Sequence, residues 1–158
     1  MNREGGRCNR VAGIIGAAST DSDTLALAEA CGALLARNGY AIVCGGLEGV
    51  MAAASRGAAD AGGSVIGILP GPDPDAANPY VTFPIATNMG HARNAIIAHS
   101  ACFLVAVAGE AGTLSEIAFG LKLGKPVYGL GTWRIDGVRH LADAEELGSA
   151  LAEDGWLS

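Results

Sequence analysis

The chain turns from a strand into a helix within Ala101-Cys102-Phe103-Leu104-Val105-Ala106-Val107-Ala108-Gly109-Glu110-Ala111-Gly112-Thr113-Leu114-Ser115-Glu116. The first six of these residues form an unbroken apolar run, which indicates a strand buried on both faces. A helix is predicted over residues 113–123, because apolar residues recur there until Gly124. A glycine-containing turn between strand and helix leaves backbone N–H groups free at the positive end of the helix dipole. The turn is therefore a predicted anion site.

The same alternation of strand and helix extends over the whole chain. Strands are predicted at residues 11–16, 40–44, 64–69, 81–86, 101–106 and 126–130, of which 81–86 is the weakest. Helices are predicted at residues 25–35, 50–59, 88–100 (capped by Asn88), 113–123 and 142–153, and the four prolines of residues 70–79 predict an irregular loop. This order predicts an α/β fold, a single doubly wound, Rossmann-like parallel sheet with helices on both faces, in one domain over residues 1–158. Such sheets bind ligands at the carboxyl ends of their strands.

The charge and hydropathy of the chain argue against a nucleic-acid or membrane partner. The net charge is −6, with only ten Lys and Arg among 158 residues, and these form no basic stripe. No apolar run reaches the roughly 18 residues that a membrane span requires. The first seven residues lack the apolar core of a signal peptide. We therefore expect a cytoplasmic protein.

The four cysteines, Cys8, Cys31, Cys44 and Cys102, form no CxxC pair and no metal-binding spacing with histidine. The last three lie in apolar segments, where a free thiol behaves as a small hydrophobic group. We interpret them as buried thiols rather than disulfide partners or metal ligands, and we predict no metal site.

Arg93, Thr113 and Glu116 are the candidate groups for chemistry. Thr113 and Glu116 have the spacing of a capping box, which would satisfy N–H groups at the start of a helix, but the same side chains could face a ligand at the end of an inner strand. Arg93 lies in the first turn of a predicted helix, where the dipole disfavours a cation by about 0.3–1 kcal/mol. It is either a solvated or ion-paired arginine or a fork for phosphate or carboxylate. His91 is a candidate for an acid–base step, whereas His140 is predicted to lie in a loop.

Two further turns follow predicted strands. Gly45 and Gly46 begin one of them, which lacks the spacing of a P-loop or of a dinucleotide-binding fingerprint. Gly16, with Ser19 after it, begins the other. Each turn either serves close packing of helix on strand or binds a ligand, and three such turns at one sheet edge favour a ligand.

Residues 89–133 resemble the Rossmann-like group that contains the cytokinin-activating LOG proteins, often mislabelled lysine decarboxylases, and the molybdenum-cofactor carrier proteins. Within this group the chain looks like a member of the small bacterial and archaeal branch close to the cofactor carriers. The resemblance extends over nearly the whole chain, and the residues that carry it are Gly45-Gly46 with Gly49-Val50-Met51, Ala92-Arg93-Asn94, Gly112-Thr113-Leu114-Ser115-Glu116, and Gly124-Lys125-Pro126-Val127 followed by Gly131-Thr132-Trp133.

The resemblance implies roles for several residues. In LOG-type enzymes a Pro-Gly-Gly-x-Gly-Thr-x-x-Glu motif binds the phosphate of a nucleoside 5′-monophosphate and supplies a glutamate for ribosyl-bond hydrolysis, assisted by an arginine. It implies phosphate binding by Gly109, Gly112 and Thr113, and catalytic roles for Glu116 and Arg93.

The chain departs from this motif at four positions. Ala108 and Glu110 replace a proline and a glycine, and Ala92 and Asn94 replace the charged residues that flank the arginine. A carboxylate in a phosphate-binding turn repels the anion unless its side chain points away. The departures preserve a binding cleft but weaken the case for hydrolysis.

Three functions follow as hypotheses. The first is a binding or carrier protein for a phosphorylated small molecule, either a nucleotide or a molybdopterin-type cofactor, with Gly16, Ser19, Gly45, Gly46, Arg93, Asn94, Gly109, Gly112, Thr113 and Glu116 around the ligand. The alternative is a nucleoside 5′-monophosphate phosphoribohydrolase. The third is a sensor or assembly module without turnover. The small apolar residues on the helices, together with the resemblance, lead us to expect a homo-oligomer, a dimer or a tetramer.

Overall fold

The structure, a computed structural model, describes residues 8–158, so the expectation for the first seven residues lies outside the described part. Its strands are β1 (Val11–Gly16), β2 (Ala41–Cys44), β3 (Val65–Leu69), β4 (Phe83–Ala86), β5 (Leu104–Val107), β6 (Val127–Leu130) and β7 (Val138–Leu141). Its α-helices are α1 (Ser22–Arg37), α2 (Val50–Asp60), α3 (Arg93–Ser100), α4 (Ala111–Lys122) and α5 (Ala144–Glu153). Among the helices of the described residues, none is long and apolar enough to cross a membrane.

The seven strands form one parallel sheet in the order β4-β3-β2-β1-β5-β6-β7. The chain winds outward from β1 to β4, crosses back through α3, and winds the other way from β5 to β7. One core cluster joins the sheet to α1, α2 and α5, and a second joins the opposite face to α3 and α4. This confirms the prediction of a doubly wound, Rossmann-like sheet with helices on both faces.

Several local predictions were wrong. Strand β7 was missed because it is short and because its sequence, Val-Arg-His-Leu, places two polar residues between two apolar ones and so lacks a strand pattern. His140 lies in this strand and not in a loop. Residues 70–79 contain one turn of 3-10 helix, Pro74–Ala76, which Asp73 caps. A second 3-10 turn, Gly90–Ala92, precedes α3, so Asn88 is not the cap of that helix.

The structure also corrects the interpretation of Cys102. It pairs Cys102 with Cys8 in a disulfide across 94 residues of sequence, with 5.8 Å between the Cα atoms. The pairing follows from the topology, because the N–H of Cys102 donates to the carbonyl of Val11 at the start of β1 (2.8 Å), and Cys8 lies three residues before that strand. Cys31 and Cys44 are free and buried, as expected.

Candidate functional site

The sheet changes its winding direction between β1 and β5. Gly16 and Val107, the last residues of these strands, are in register, and the chain leaves β1 towards α1 and β5 towards α4. Diverging loops at such a switch point open a crevice, which is where this architecture binds ligands.

A cleft of about 190 Å³ lies at this point. It is lined by Gly16, Ala18, Leu47, Met51, His91, Arg93, Asn94, Glu110, Gly112, Thr113 and Glu116. A larger depression of about 670 Å³ is lined by residues on or next to α1, α2 and α5. We assign the candidate site to the smaller cleft, because it combines buried charged groups with the switch point.

Two glycines let the elements around the cleft approach each other. A Cβ atom on Gly16 would lie 2.3 Å from the carbonyl oxygen of Val107 and 2.5 Å from a methyl group of Val50, the first residue of α2. A Cβ atom on Gly45 would lie 2.8 Å from Nη2 of Arg93. Glycine at position 16 therefore allows β1, β5 and α2 to meet, and glycine at position 45 leaves room for the guanidinium.

Arg93 begins α3, and only 8% of its surface is exposed. Its Nη1 donates to Oδ1 of Asn94, while its Nε is buried and has no hydrogen-bond partner among residues 8–158. Asn94 in turn donates to Oγ of Ser115 (3.2 Å), and Ser115 donates to the carbonyl of Gly112 (2.6 Å). This chain of hydrogen bonds ties the start of α3 to the start of α4 and fixes the arginine beside Gly112.

Glu116 is the second buried charged group of the cleft, with 7% of its surface exposed. Burial raises its pKa to about 8, although the nearby guanidinium of Arg93 acts in the opposite direction. Burial lowers the pKa of Arg93, opposed by Glu116 and Cys44. Burial therefore favours the neutral, protonated form of Glu116, and the guanidinium of Arg93 is a cationic group inside the cleft.

Glu110 closes the turn that leads into α4. It is the N-cap of the helix and forms a capping box with Thr113; its own N–H donates to Oγ1 of Thr113 at 3.4 Å. The predicted box between Thr113 and Glu116 is therefore wrong, because the helix begins two residues earlier than expected. Since the Glu110 carboxylate accepts from the N–H of Thr113, part of the positive end of α4 is satisfied by the chain itself.

The structure brings six of the ten predicted ligand residues to the lining of the cleft: Gly16, Arg93, Asn94, Gly112, Thr113 and Glu116. Gly45 lies against Arg93, as described above. Gly46, Ser19 and Gly109 do not line the cleft. Gly46 has φ +75° and accepts from the N–H of Asn78 (2.8 Å), Gly109 has φ +144° and packs on Thr113, and Ser19 is exposed in the loop before α1.

Sequence reasoning missed the apolar part of the lining. Leu47 lies in the turn that begins at Gly45, and Met51 lies in the helix after it. The position of this turn at the end of β2 was the sequence feature that could have placed both residues at the cleft. Asn78, in the proline-rich loop, stabilises this turn, because its Nδ2 donates to the carbonyl of Leu47 at 2.9 Å. Residues 70–79 therefore support the cleft and are absent from its described lining.

The fold and the cleft define a Rossmann-like α/β protein with a candidate ligand site at the topological switch point. The chain belongs to the SLOG cluster4 family, whose model matches residues 9–140. It is 48% identical over 118 residues to an uncharacterized protein from Archaeoglobus fulgidus, which covers 75% of this chain and 78% of that protein.

Two solved structures are also similar to the chain. The molybdenum cofactor binding protein from Rippkaea orientalis has a TM-score of 0.85 at 30% identity, covering 91% of this chain and 96% of that one. The molybdenum cofactor carrier protein from Chlamydomonas reinhardtii has a TM-score of 0.82 at 35% identity, covering 90% and 96%. These findings confirm the resemblance to the LOG-like and cofactor-carrier group.

Proposed function

We propose that the chain is a binding or carrier protein for a phosphorylated small molecule, a nucleotide or a molybdopterin-type cofactor. The observation that carries the proposal is Arg93, a buried guanidinium in the cleft whose Nε has no hydrogen-bond partner in the described part of the chain. A buried charge is costly unless it is paired. A phosphate supplies that pair, and the similarity to molybdenum-cofactor binding and carrier proteins supports the same ligand class.

The remaining polar groups of the cleft suit an anion. Burial favours the protonated form of Glu116, whose carboxyl can then donate to an anion, and the hydroxyl of Thr113 can donate its hydrogen while its oxygen accepts from the N–H of Glu110. Because the whole chain carries a net charge of −6, long-range attraction does not bring the anion in. Binding depends on these local donors.

Thermal unfolding and calorimetric titration with AMP, GMP and molybdopterin test the proposal. A ligand present at 100 times its Kd stabilises the native state by about 2.7 kcal/mol. Arg93→Met should weaken binding tenfold or more, since a hydrogen bond to a charged group contributes about 1.5–3 kcal/mol. Arg56→Met, at an exposed arginine paired with Asp60, is the matched control. If no ligand binds at millimolar concentration, the proposal is wrong.

A second candidate function is hydrolysis of nucleoside 5′-monophosphates at the N-ribosyl bond. It is favoured by the position of Glu116 in the lining of the cleft, where burial raises the pKa of the carboxyl towards the range that a general acid for a departing base needs. Release of free base from AMP or GMP, lost in Glu116→Gln, would support it. An inactive wild type that still binds these nucleotides would leave the carrier as the function.

A further inference from the structure

The turn before α4 runs beside the turn that follows β6. Val107 and Leu130 end their strands in register, and the N–H of Ala108 donates to the carbonyl of Leu130 at 2.9 Å. Gly131 then adopts φ +62°, which reverses the chain immediately after the strand. The Gly131-Thr132-Trp133 segment is thereby brought against the edge of the candidate cleft.

Trp133 is anchored at this edge and is partly exposed. Its Nε1–H donates to the carbonyl of Glu110 (3.3 Å), a residue that lines the cleft, yet 43% of its surface is exposed. The other tryptophan, Trp156, packs on Phe103 with 5.1 Å between ring centroids. An indole that is held at its polar end and has part of its surface exposed can accept a second flat ring.

The size of the cleft leaves the ring system of a ligand outside it. Pockets that enclose a whole small-molecule ligand measure about 300–1,000 Å³, whereas this cleft measures about 190 Å³. A phosphate held at Arg93 and its attached sugar or chain fill such a volume. A heterocycle attached to them must therefore lie at the mouth, where Glu110 and Trp133 are.

We propose that Trp133 is the stacking surface for the heterocyclic ring of the ligand, a purine nucleotide or a pterin phosphate. This inference rests on the proposed function and adds a residue that selects ring-bearing phosphates over ring-free ones. Stacking tolerates any flat ring, so this surface favours a class of ligands rather than one base.

Titration of the wild type, Trp133→Ala and Trp133→Phe with GMP, molybdopterin and ribose 5-phosphate tests the inference. Trp133→Ala should weaken binding of the two heterocyclic phosphates about tenfold or more, in the range found for base–aromatic stacking. Trp133→Phe keeps a ring face and should retain most of the affinity. Ribose 5-phosphate, which has no heterocycle, should bind all three proteins alike.

The outcomes separate this inference from the function on which it rests. If none of the three probes binds the wild type, the proposed function fails, and this inference fails with it. If GMP or molybdopterin binds the wild type and Trp133→Ala equally well, only the stacking role is wrong. The stacking role is also wrong if Trp133→Ala leaves binding intact but changes the sedimentation coefficient, because the indole is then covered by a second copy of the chain.

Discussion

Glu116 lies with Arg93 in the buried cleft between the starts of α3 and α4, and the two groups shift each other's pKa. Burial raises the pKa of Glu116 to about 8, and the guanidinium limits that rise; burial also lowers the pKa of Arg93, and Glu116 limits that fall. Both groups are poorly solvated, so each is sensitive to any anion that enters the cleft. The pair therefore links stability, pH and ligand binding.

The first prediction concerns the pH dependence of stability. The pKa of Glu116 is raised in the native state, so the native protein holds a proton that the unfolded chain releases above about pH 4.5. Stability should therefore fall as pH rises from about 5 to 8, by up to about 1.4 kcal/mol per pH unit from this group. Urea unfolding at pH 5, 6.5 and 8 measures the slope.

Glu116→Gln should remove this part of the slope, because an amide of similar shape does not titrate. Glu48→Gln, at an exposed position, is the control and should leave the slope unchanged. If the wild type and Glu116→Gln have the same dependence on pH, Glu116 is ionised in the native protein.

The second prediction is a conflict between stability and binding at Gly112. A Cβ atom at this position would meet only Nδ2 of Asn94, at 3.7 Å, and would project into the cleft. Because alanine is the better helix former, Gly112→Ala should stabilise the fold by about 0.5 kcal/mol. The same methyl group should lower the affinity for GMP about tenfold, or about 1.4 kcal/mol, as measured by titration.

Gly148→Ala provides the matched control for Gly112. It lies inside α5, where a Cβ atom would make ordinary contacts of 3.6 Å and 3.7 Å with the methyl groups of Leu34. It should stabilise the protein as much or more and leave binding unchanged. Equal GMP affinity in both variants would show that no ligand approaches the backbone at Gly112.

The sheet was predictable because its inner strands are apolar on both faces. Residues 11–16 and 101–106 cannot be amphipathic in any register, so a parallel sheet covered by helices is the arrangement that buries them. The outer strand β7 lacked that pattern, since Arg139 and His140 stand beside Val138. An edge strand needs only one buried face, and its signal is correspondingly weak.

The parts of the candidate site that depend on the path of the backbone could be predicted from the sequence. The strand-to-helix turns around Gly16 and Gly112 follow from local sequence, and the switch point follows from strand order. The burial of Arg93 could not be predicted from the sequence. It depends on Gly45, which is distant along the chain and leaves room for the guanidinium. The Cys8–Cys102 disulfide has the same origin, since only the pairing of β1 with β5 brings those residues together.

The third prediction concerns the thiols. In the oxidised protein, unfolding without reductant should expose two reactive thiols, Cys31 and Cys44, and four after reduction. The native protein should react slowly, since burial raises the pKa of both free thiols and the thiolate is the nucleophile. Titration with a thiol reagent gives the count.

The disulfide should also affect stability. Cys8→Ser should lower the free energy of unfolding by about 2–4 kcal/mol under oxidising conditions, whereas with reductant it should match the wild type. Disulfides are rare in a reducing cytoplasm. The redox state of the four cysteines in cells, preserved by acid quenching and thiol trapping, therefore tests the expectation of a cytoplasmic protein. Four reduced cysteines would agree with the cytoplasm and would show that the bond forms only after oxidation.

The last prediction concerns self-association through β4. Phe83 and Ile85 are 56% and 47% exposed, and their alternation puts both side chains on one face of an edge strand. Because bare apolar edges are usually covered, we expect a dimer or tetramer in sedimentation velocity. Phe83→Lys with Ile85→Lys should shift it towards the monomer. Phe119→Lys, at an exposed position on α4, is the comparison variant. If only this variant dissociates the oligomer, the interface involves α4 and not β4. A wild-type protein that sediments as a monomer contradicts the prediction.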